Sequence, residues 1–188
     1  AAGVDTAMMD VIGSDDTIRE VYHLDRPVED FEATLAALTS TRMEVSPHIV
    51  IGLHYGRILG EARALDIVAR HPVTALVLVV VMPFYARPGT FVTPDTADVG
   101  RIFLQARTRL ADRQVLLGCA RPAGMHKRVT DAYAVMAGLD GIAFPADGAV
   151  GVARAIGREW HQENACCSIK IGGRLGTGAA LPARTCAA

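Results

Sequence analysis

Along this chain the spacing of apolar residues switches repeatedly between strand-like runs and helix-like faces. "VDTAMMDVIG" reads as a strand, and "VEDFEATLAAL" then places Val28, Phe31, Leu35 and Leu38 on one helical face. Between them "DTIREVY" opens a short helix for which Asp15 or Asp16 is the expected cap. "MEVSPHIVIGL" is the next strand and "ILGEARALDIVARH" the next helix. The unbroken Val and Leu run of "TALVLVVVMPF" fits a parallel strand covered on both faces. A helix is expected after Thr93, with Thr93 as its cap and Pro94 in its first turn, where a missing N–H costs little. "RQVLLGCA", "KRVTDAYAVMAGL", "GIAFPA" and "GAVGVARAIGREW" then give strand, helix, strand and helix. About five such alternations predict a parallel α/β architecture.

The opening "AAGVDTAMMDV" reads as the end of a helix running straight into a strand. The expectation is therefore a partial TIM-type barrel, the C-terminal half of a parallel β/α barrel with about five βα units, over residues 1–169. From 170 to 188, "KIGGRLGTGAALPARTCAA" turns to Gly and Ala without a period, which is the pattern of a disordered tail or a non-native extension. Cys186 is set aside with it.

Composition narrows the class. A chain of 188 residues with 51% hydrophobic and 5% aromatic residues suits one domain with an aliphatic core. Nineteen basic and twenty acidic residues, net charge −1, give no nucleic-acid or membrane patch, so small molecules or a protein are the expected partners. The longest apolar run, Ala75 to Met82, is far short of the roughly twenty residues that span a bilayer. Four cysteines make no disulfide framework, and a reducing cytoplasm is expected.

In a parallel β/α barrel, chemistry gathers where strands end and βα loops begin. The candidates are Asp10, followed by Gly13 to Asp16, on the first strand, and His54, Tyr55 and Gly56 after the second. Pro88 and Gly89 tighten a turn after the third strand, Cys119 and Arg121 follow the fourth, and Pro145 and Asp147 follow the fifth. Each has a plainer reading. His48 sits in an apolar strand as a core histidine would. A free cysteine such as Cys119 packs as a small hydrophobe as readily as it binds a ligand. Cys166 and Cys167 are thiolate candidates for zinc or an iron–sulfur cluster, yet adjacent side chains on an extended chain point opposite ways.

The order "VEDFEATLAAL", "VSPHIVIGLHYG", "VMPFYARPGT", "VLLGCARP" and "VMAGLDGIAFPADGAV" resembles the C-terminal half of radical S-adenosylmethionine enzymes of the biotin synthase type. The resemblance covers roughly residues 3 to 168 and extends to the biotin-synthase-like radical proteins that include split lipoyl synthases. It implies that Gly52, His54 and Gly56 of "GLHYG" and Pro88, Gly89 and Thr90 of "ARPGT" lie near S-adenosylmethionine. It also implies that Asp10, Cys119 and Arg121 face the substrate, with Arg121 holding a carboxylate or phosphate through its fork of donors. Cys166 and Cys167, with Cys119, are the implied ligands of any auxiliary cluster.

The sequence departs from biotin synthase at two places. Ser46 stands where that enzyme has a cysteine ligand of its 2Fe-2S cluster, and Leu116 where it has an arginine ligand, so that sulfur-donor site is not built. The CxxxCxxC loop that holds the family's 4Fe-4S cluster is absent as well; the resemblance places it upstream, in the full-length parent. Three readings stay open. One is part of a radical enzyme of cofactor biosynthesis, of the sulfur-inserting lipoyl or biotin synthase-like kind. The second is a non-redox α/β binding module for a small anionic ligand or a partner protein. The third, an aldolase-type barrel, wants a lysine at a strand end, and the only lysines are Lys127 and Lys170.

Overall fold

The computed structural model describes residues 3–84, 86–163 and the backbone of 183–186. In chain order the elements are β1 (Thr6–Ala7), α1 (Asp15–Glu20), α2 (Val28–Thr39), β2 (Glu44–Val45), β3 (His48–Ile51), α3 (Glu61–Arg70) and β4 (Ala75–Val80). They continue with α4 (Thr96–Arg109), β5 (Gln114–Leu117), α5 (Met125–Ala137), β6 (Gly141–Ala143), α6 (Ala149–Ala155), β7 (Trp160–Glu163) and β8 (Ala183–Cys186). The chain is an α/β protein built on a parallel sheet in which β3, β4, β5 and β6 lie side by side in sequence order. β8 pairs with β6, and β7 with β8, both parallel. Cys166, Cys167 and Lys170 lie outside the described residues.

The first strand is the part the pattern overstated. β1 is two residues long and pairs in parallel with β2, and a further parallel bridge joins Asp10 to His48. The separation in sequence is the same at Thr6–Glu44, Ala7–Val45 and Asp10–His48, so one register runs from β1 past Asp10 and carries the N-terminal strand along the edge of the sheet beside β3. Pro47 divides the expected strand "MEVSPHIVIGL" into β2 and β3, since it has no N–H to continue the ladder.

Side-chain alternation sorts the core. Leu76, Leu78 and Val80 of β4 join Ile49, Ile51, Val115, Leu117 and Ile142 against the helices, together with the fully buried Leu65 and Phe103. Each such side chain contributes about 1.5–3 kcal/mol by leaving water. The alternate positions Ala75, Val77, Leu116 and Ala143 form a second, small buried cluster on the other face. α3 packs on α4, α4 on α5 and α5 on α6, so these helices form one continuous layer. No helix among the described residues is long and apolar enough to cross a membrane.

Helix starts differ from the expected caps. Ser14, not Asp15 or Asp16, caps α1 by accepting from the Thr17 N–H. Asp15 instead accepts from the Val28 N–H at 2.7 Å, serving α2, whose own cap position is Pro27. α4 begins after Asp95, which accepts from the Ala97 N–H, so Thr93 and Pro94 precede the helix. The last expected helix stops at Ala155, and Trp160 belongs to β7.

Two polar groups fix β5 and β6 at opposite ends. At the start of β5, Asp140 accepts from Arg107 at 2.6 Å and from the Val115 N–H at 2.8 Å. Past its end, Arg121 and Asp131 form an ion pair at 2.7 Å with neither side chain exposed, and Arg121 also donates to the carbonyls of Gly118, Ala143 and Phe144. Removing one partner of such a pair leaves a buried charge without compensation. Asp131→Ala is therefore expected to cost about 3–5 kcal/mol, whereas replacing both residues by apolar ones of similar volume costs far less. Urea unfolding of the two variants beside the parent chain checks this.

Candidate functional site

The loops following the C-terminal ends of the strands collect at one end of the sheet. After β3 the chain turns through Gly52 and Gly56, both at positive φ, with Tyr55 also left-handed at φ 54°. The reason is close packing. A Cβ on Gly52 would lie 2.2 Å from the Pro94 ring, and one on Gly56 would lie 2.0 Å from the Val92 carbonyl oxygen. Val92 N–H donates to the Tyr55 carbonyl, and the Tyr55 and Phe91 rings meet at 5.0 Å. The loop after β3 is thus clasped by residues 91–94 of the loop after β4.

A second close approach lies next to it. Gly13, after the first strand, packs so tightly on Gly60 that a Cβ would sit 2.0 Å from the Gly60 carbonyl oxygen. Between these contacts is Glu61, buried at the start of α3, whose Oε1 accepts from the Gly52 N–H at 2.8 Å. Its Oε2 has no hydrogen-bond partner among the described residues. Burial pushes the Glu61 carboxyl above the usual range, outweighing the amides of Gly52, Glu61 and Leu59 that pull it down. Glu61, Asp10 and Thr17 line a small cavity with about 10 Å³ of room, enough for about one water molecule.

The residues expected at the site fall into separate groups. His54 is half-buried, with Nδ1 3.2 Å from the Thr17 hydroxyl. Pro88, Gly89 and Thr90 form an exposed turn closed by Thr90 N–H on the Arg87 carbonyl, and nothing among the described residues packs over Gly89. Cys119 is an exposed free thiol just past β5. Among the described residues no three His, Cys, Asp or Glu side chains gather as a metal would require.

Arg121 is only two residues on from Cys119 but does not reach the rim. Its fork of donors, expected to hold a ligand anion, holds Asp131 and three carbonyls beneath the surface. Lys127, which the sequence reading left aside, lies closer to solvent and donates to the Phe144 carbonyl; burial, with Arg121 nearby, lowers its pKa.

Asp10 is displaced from its expected place in a different way. Its register partner His48 is the first residue of β3, so Asp10 lies three residues, or about 10 Å, below the end of that strand. There its Oδ2 accepts from the Tyr22 hydroxyl at 2.5 Å. Burial and this carboxylate raise the Tyr22 pKa, and burial lowers that of His48 despite the Asp10 charge. Sequence reasoning missed Tyr22 and Glu61 altogether. Neither has a local signal: Tyr22 lies two residues past a short helix and Glu61 begins another.

Away from this end, an apolar groove of about 350 Å³ runs between α4 and α5, lined by Gly100, Leu104, Tyr133 and Met136. Models of known protein families give no match to this chain, and curated proteins give none. Fold and site define an α/β protein with a parallel sheet and a set of interlocked loops at the strand ends.

The raised Glu61 carboxyl has a pH consequence. A carboxyl whose folded pKa exceeds its unfolded value contributes stability that is fully present below the unfolded value and is lost as pH rises through the folded one. Asp140, raised by burial as well, acts in the same direction. The contribution of these two carboxyls is therefore expected to fall as pH rises from the ordinary carboxylate range towards neutrality, against the opposite contribution of His48, whose lowered pKa favours the folded chain as pH rises. Glu61→Gln, which keeps an acceptor for Gly52, is expected to flatten that fall, as measured by the urea midpoint at a series of pH values.

Proposed function

We propose that this chain is part of a radical S-adenosylmethionine enzyme of cofactor biosynthesis, of the sulfur-inserting lipoyl or biotin synthase-like kind, working in a reducing cytoplasm. In this reading the sheet is the C-terminal part of a partial β/α barrel, and its strand-end loops are a share of the S-adenosylmethionine and substrate surface. The observation that carries the reading is the sequential parallel order of β3 to β6 with the glycine loop after β3 locked beneath residues 91–94. That order leaves the "GLHYG" and "ARPGT" loops on neighbouring strands at the same end, as the resemblance requires.

The residues present do not fit the 4Fe-4S cluster. The sequence lacks the CxxxCxxC spacing, and Cys119 is the one cysteine whose side chain is among the described residues. S-adenosylmethionine bound in the full-length parent would, on accepting one electron and releasing methionine, supply a 5′-deoxyadenosyl radical for hydrogen abstraction from an unactivated carbon. For that ligand the chain offers half-buried His54, the exposed Pro88–Thr90 turn and the exposed apolar side chains of Ile58, Leu59, Phe84 and Val92 on the same loops. Gly52 and Gly56 act on the loop's shape, because their free space is filled by Pro94 and Val92. Cys119 is left to face the substrate, and Arg121 to hold β5, α5 and β6 together beneath it.

The test uses the whole product of the gene that encodes this chain, purified without oxygen, loaded with iron and sulfide, and incubated with S-adenosylmethionine and a reductant. Release of 5′-deoxyadenosine is expected, with His54→Ala lowering kcat/KM about tenfold, mainly through KM. An iron-loaded protein that releases none overturns the radical reading and leaves the binding-module alternative.

A further inference from the structure

Residues 52–60, between β3 and α3, form a compact loop whose two ends are tied by one side chain. Glu61, the first residue of α3, reaches back through Oε1 to accept from the Gly52 N–H at 2.8 Å. A loop of this kind keeps its shape through the contacts at its neck and among its own side chains. Gly52 and Gly60 bracket it at φ 77° and 99°, and both are tightly packed, Gly52 on Pro94 and Gly60 on Gly13. Tyr55 donates to the Glu20 carbonyl at 3.1 Å and His54 meets the Thr17 hydroxyl, so α1 supports the outer part.

The tie at the neck is chemically unbalanced. Glu61 is only 4% exposed, and its Oε2 has no hydrogen-bond partner among the described residues. The cavity of about 10 Å³ beside it, with room for about one water, is walled by the first strand, α1, β3, the loop and α3. A protonated carboxyl needs a single acceptor for its Oε2–H, which one water supplies. A carboxylate needs several donors, and one confined water does not provide them. An ionised Glu61 is therefore better solvated once the neck opens to solvent.

The other charged and titratable groups around Glu61 do not reverse this. Asp10 on the first strand accepts from Tyr22, and Arg63 on α3 itself is paired with Asp15 of α1 and Glu29 of α2. Arg57 on the loop is exposed, and residues 91–94 carry no charge. His54 pulls the Glu61 carboxyl down by less than burial pushes it up.

We propose that Glu61 is the latch of the loop after β3, holding the loop closed while it is protonated and letting it open when it ionises. It is a positioning residue, acting on His54, Ile58 and Leu59 through the loop that carries them. The loop is the one assigned above to S-adenosylmethionine, so a part in ligand binding rests on that reading, whereas the latch itself does not.

The test is amide hydrogen exchange without ligand, on the whole product of the gene that encodes this chain, from about pH 5 to about pH 8. Peptides covering residues 52–60 report the loop, and peptides covering β4 serve as reference. After correction for the intrinsic pH dependence of exchange, protection of the loop is expected to fall at least about tenfold as pH rises, while that of β4 holds. Glu61→Gln keeps an acceptor for Gly52 and a donor for the cavity water but cannot ionise, and is expected to stay protected throughout. Glu61→Ala is expected to be unprotected throughout; should it fail to fold, the comparison of Glu61→Gln with the parent carries the test. His54→Asn, which removes the neighbouring titratable ring, is expected to keep the fall. A loop whose protection does not change with pH, an equal fall in Glu61→Gln, or a fall lost in His54→Asn overturns the proposal. A responsive latch in a protein that binds no S-adenosylmethionine removes the radical reading alone, and binding with an unresponsive latch removes this proposal alone.

Discussion

Four parallel strands, β3 to β6, lie side by side in chain order, which sends each right-handed crossover between them over the same face. This constraint governs the molecule. It gathers α3 to α6 into one layer, gives that layer the larger core, and leaves the opposite face with the small cluster of Ala75, Val77, Leu116 and Ala143. It also brings the loops after the first strand, β3 and β4 to one end, where Gly13 meets Gly60 and Gly56 meets Val92 at distances no side chain allows.

Electrostatics divide along the strand axis. At one end of β5, Asp140 gathers Arg107 and the Val115 amide, and past the other Arg121 gathers Asp131 and three carbonyls. Both charges are spent on holding the sheet, so the groups open to a ligand at the loop end include His54, Cys119, Lys127, the exposed Arg57, Arg87 and Asp147, and apolar side chains.

The sequence pattern carried most of the fold because each buried strand or helix announced itself locally. The Val and Leu run became β4, and Val28 and Leu35 are the buried face of α2. The first strand was overstated because its pattern is real but its pairing is one-sided and interrupted. Helix starts were misread where two capping side chains compete, as with Ser14 against Asp15, since the outcome depends on where the next helix docks. The turn at Pro88 and Gly89 was legible from turn chemistry, and the place of His54 after a strand from the apolar run before it. The burial of Arg121 was not, because Asp131 lies a helical segment away and only the packing of α5 on the sheet brings it near. Asp10 was placed too high because the register with His48 is a property of two strands, not of one.

Under the proposed function, S-adenosylmethionine would meet this chain at the loops after β3 and β4. The most direct measurement is a titration of the isotope-labelled chain with S-adenosylmethionine, followed amide by amide by NMR. The account predicts saturable shifts concentrated in residues 52–60 and 87–92. No shift at saturating concentration, or shifts confined to the α4–α5 groove around Leu104 and Met136, would contradict it.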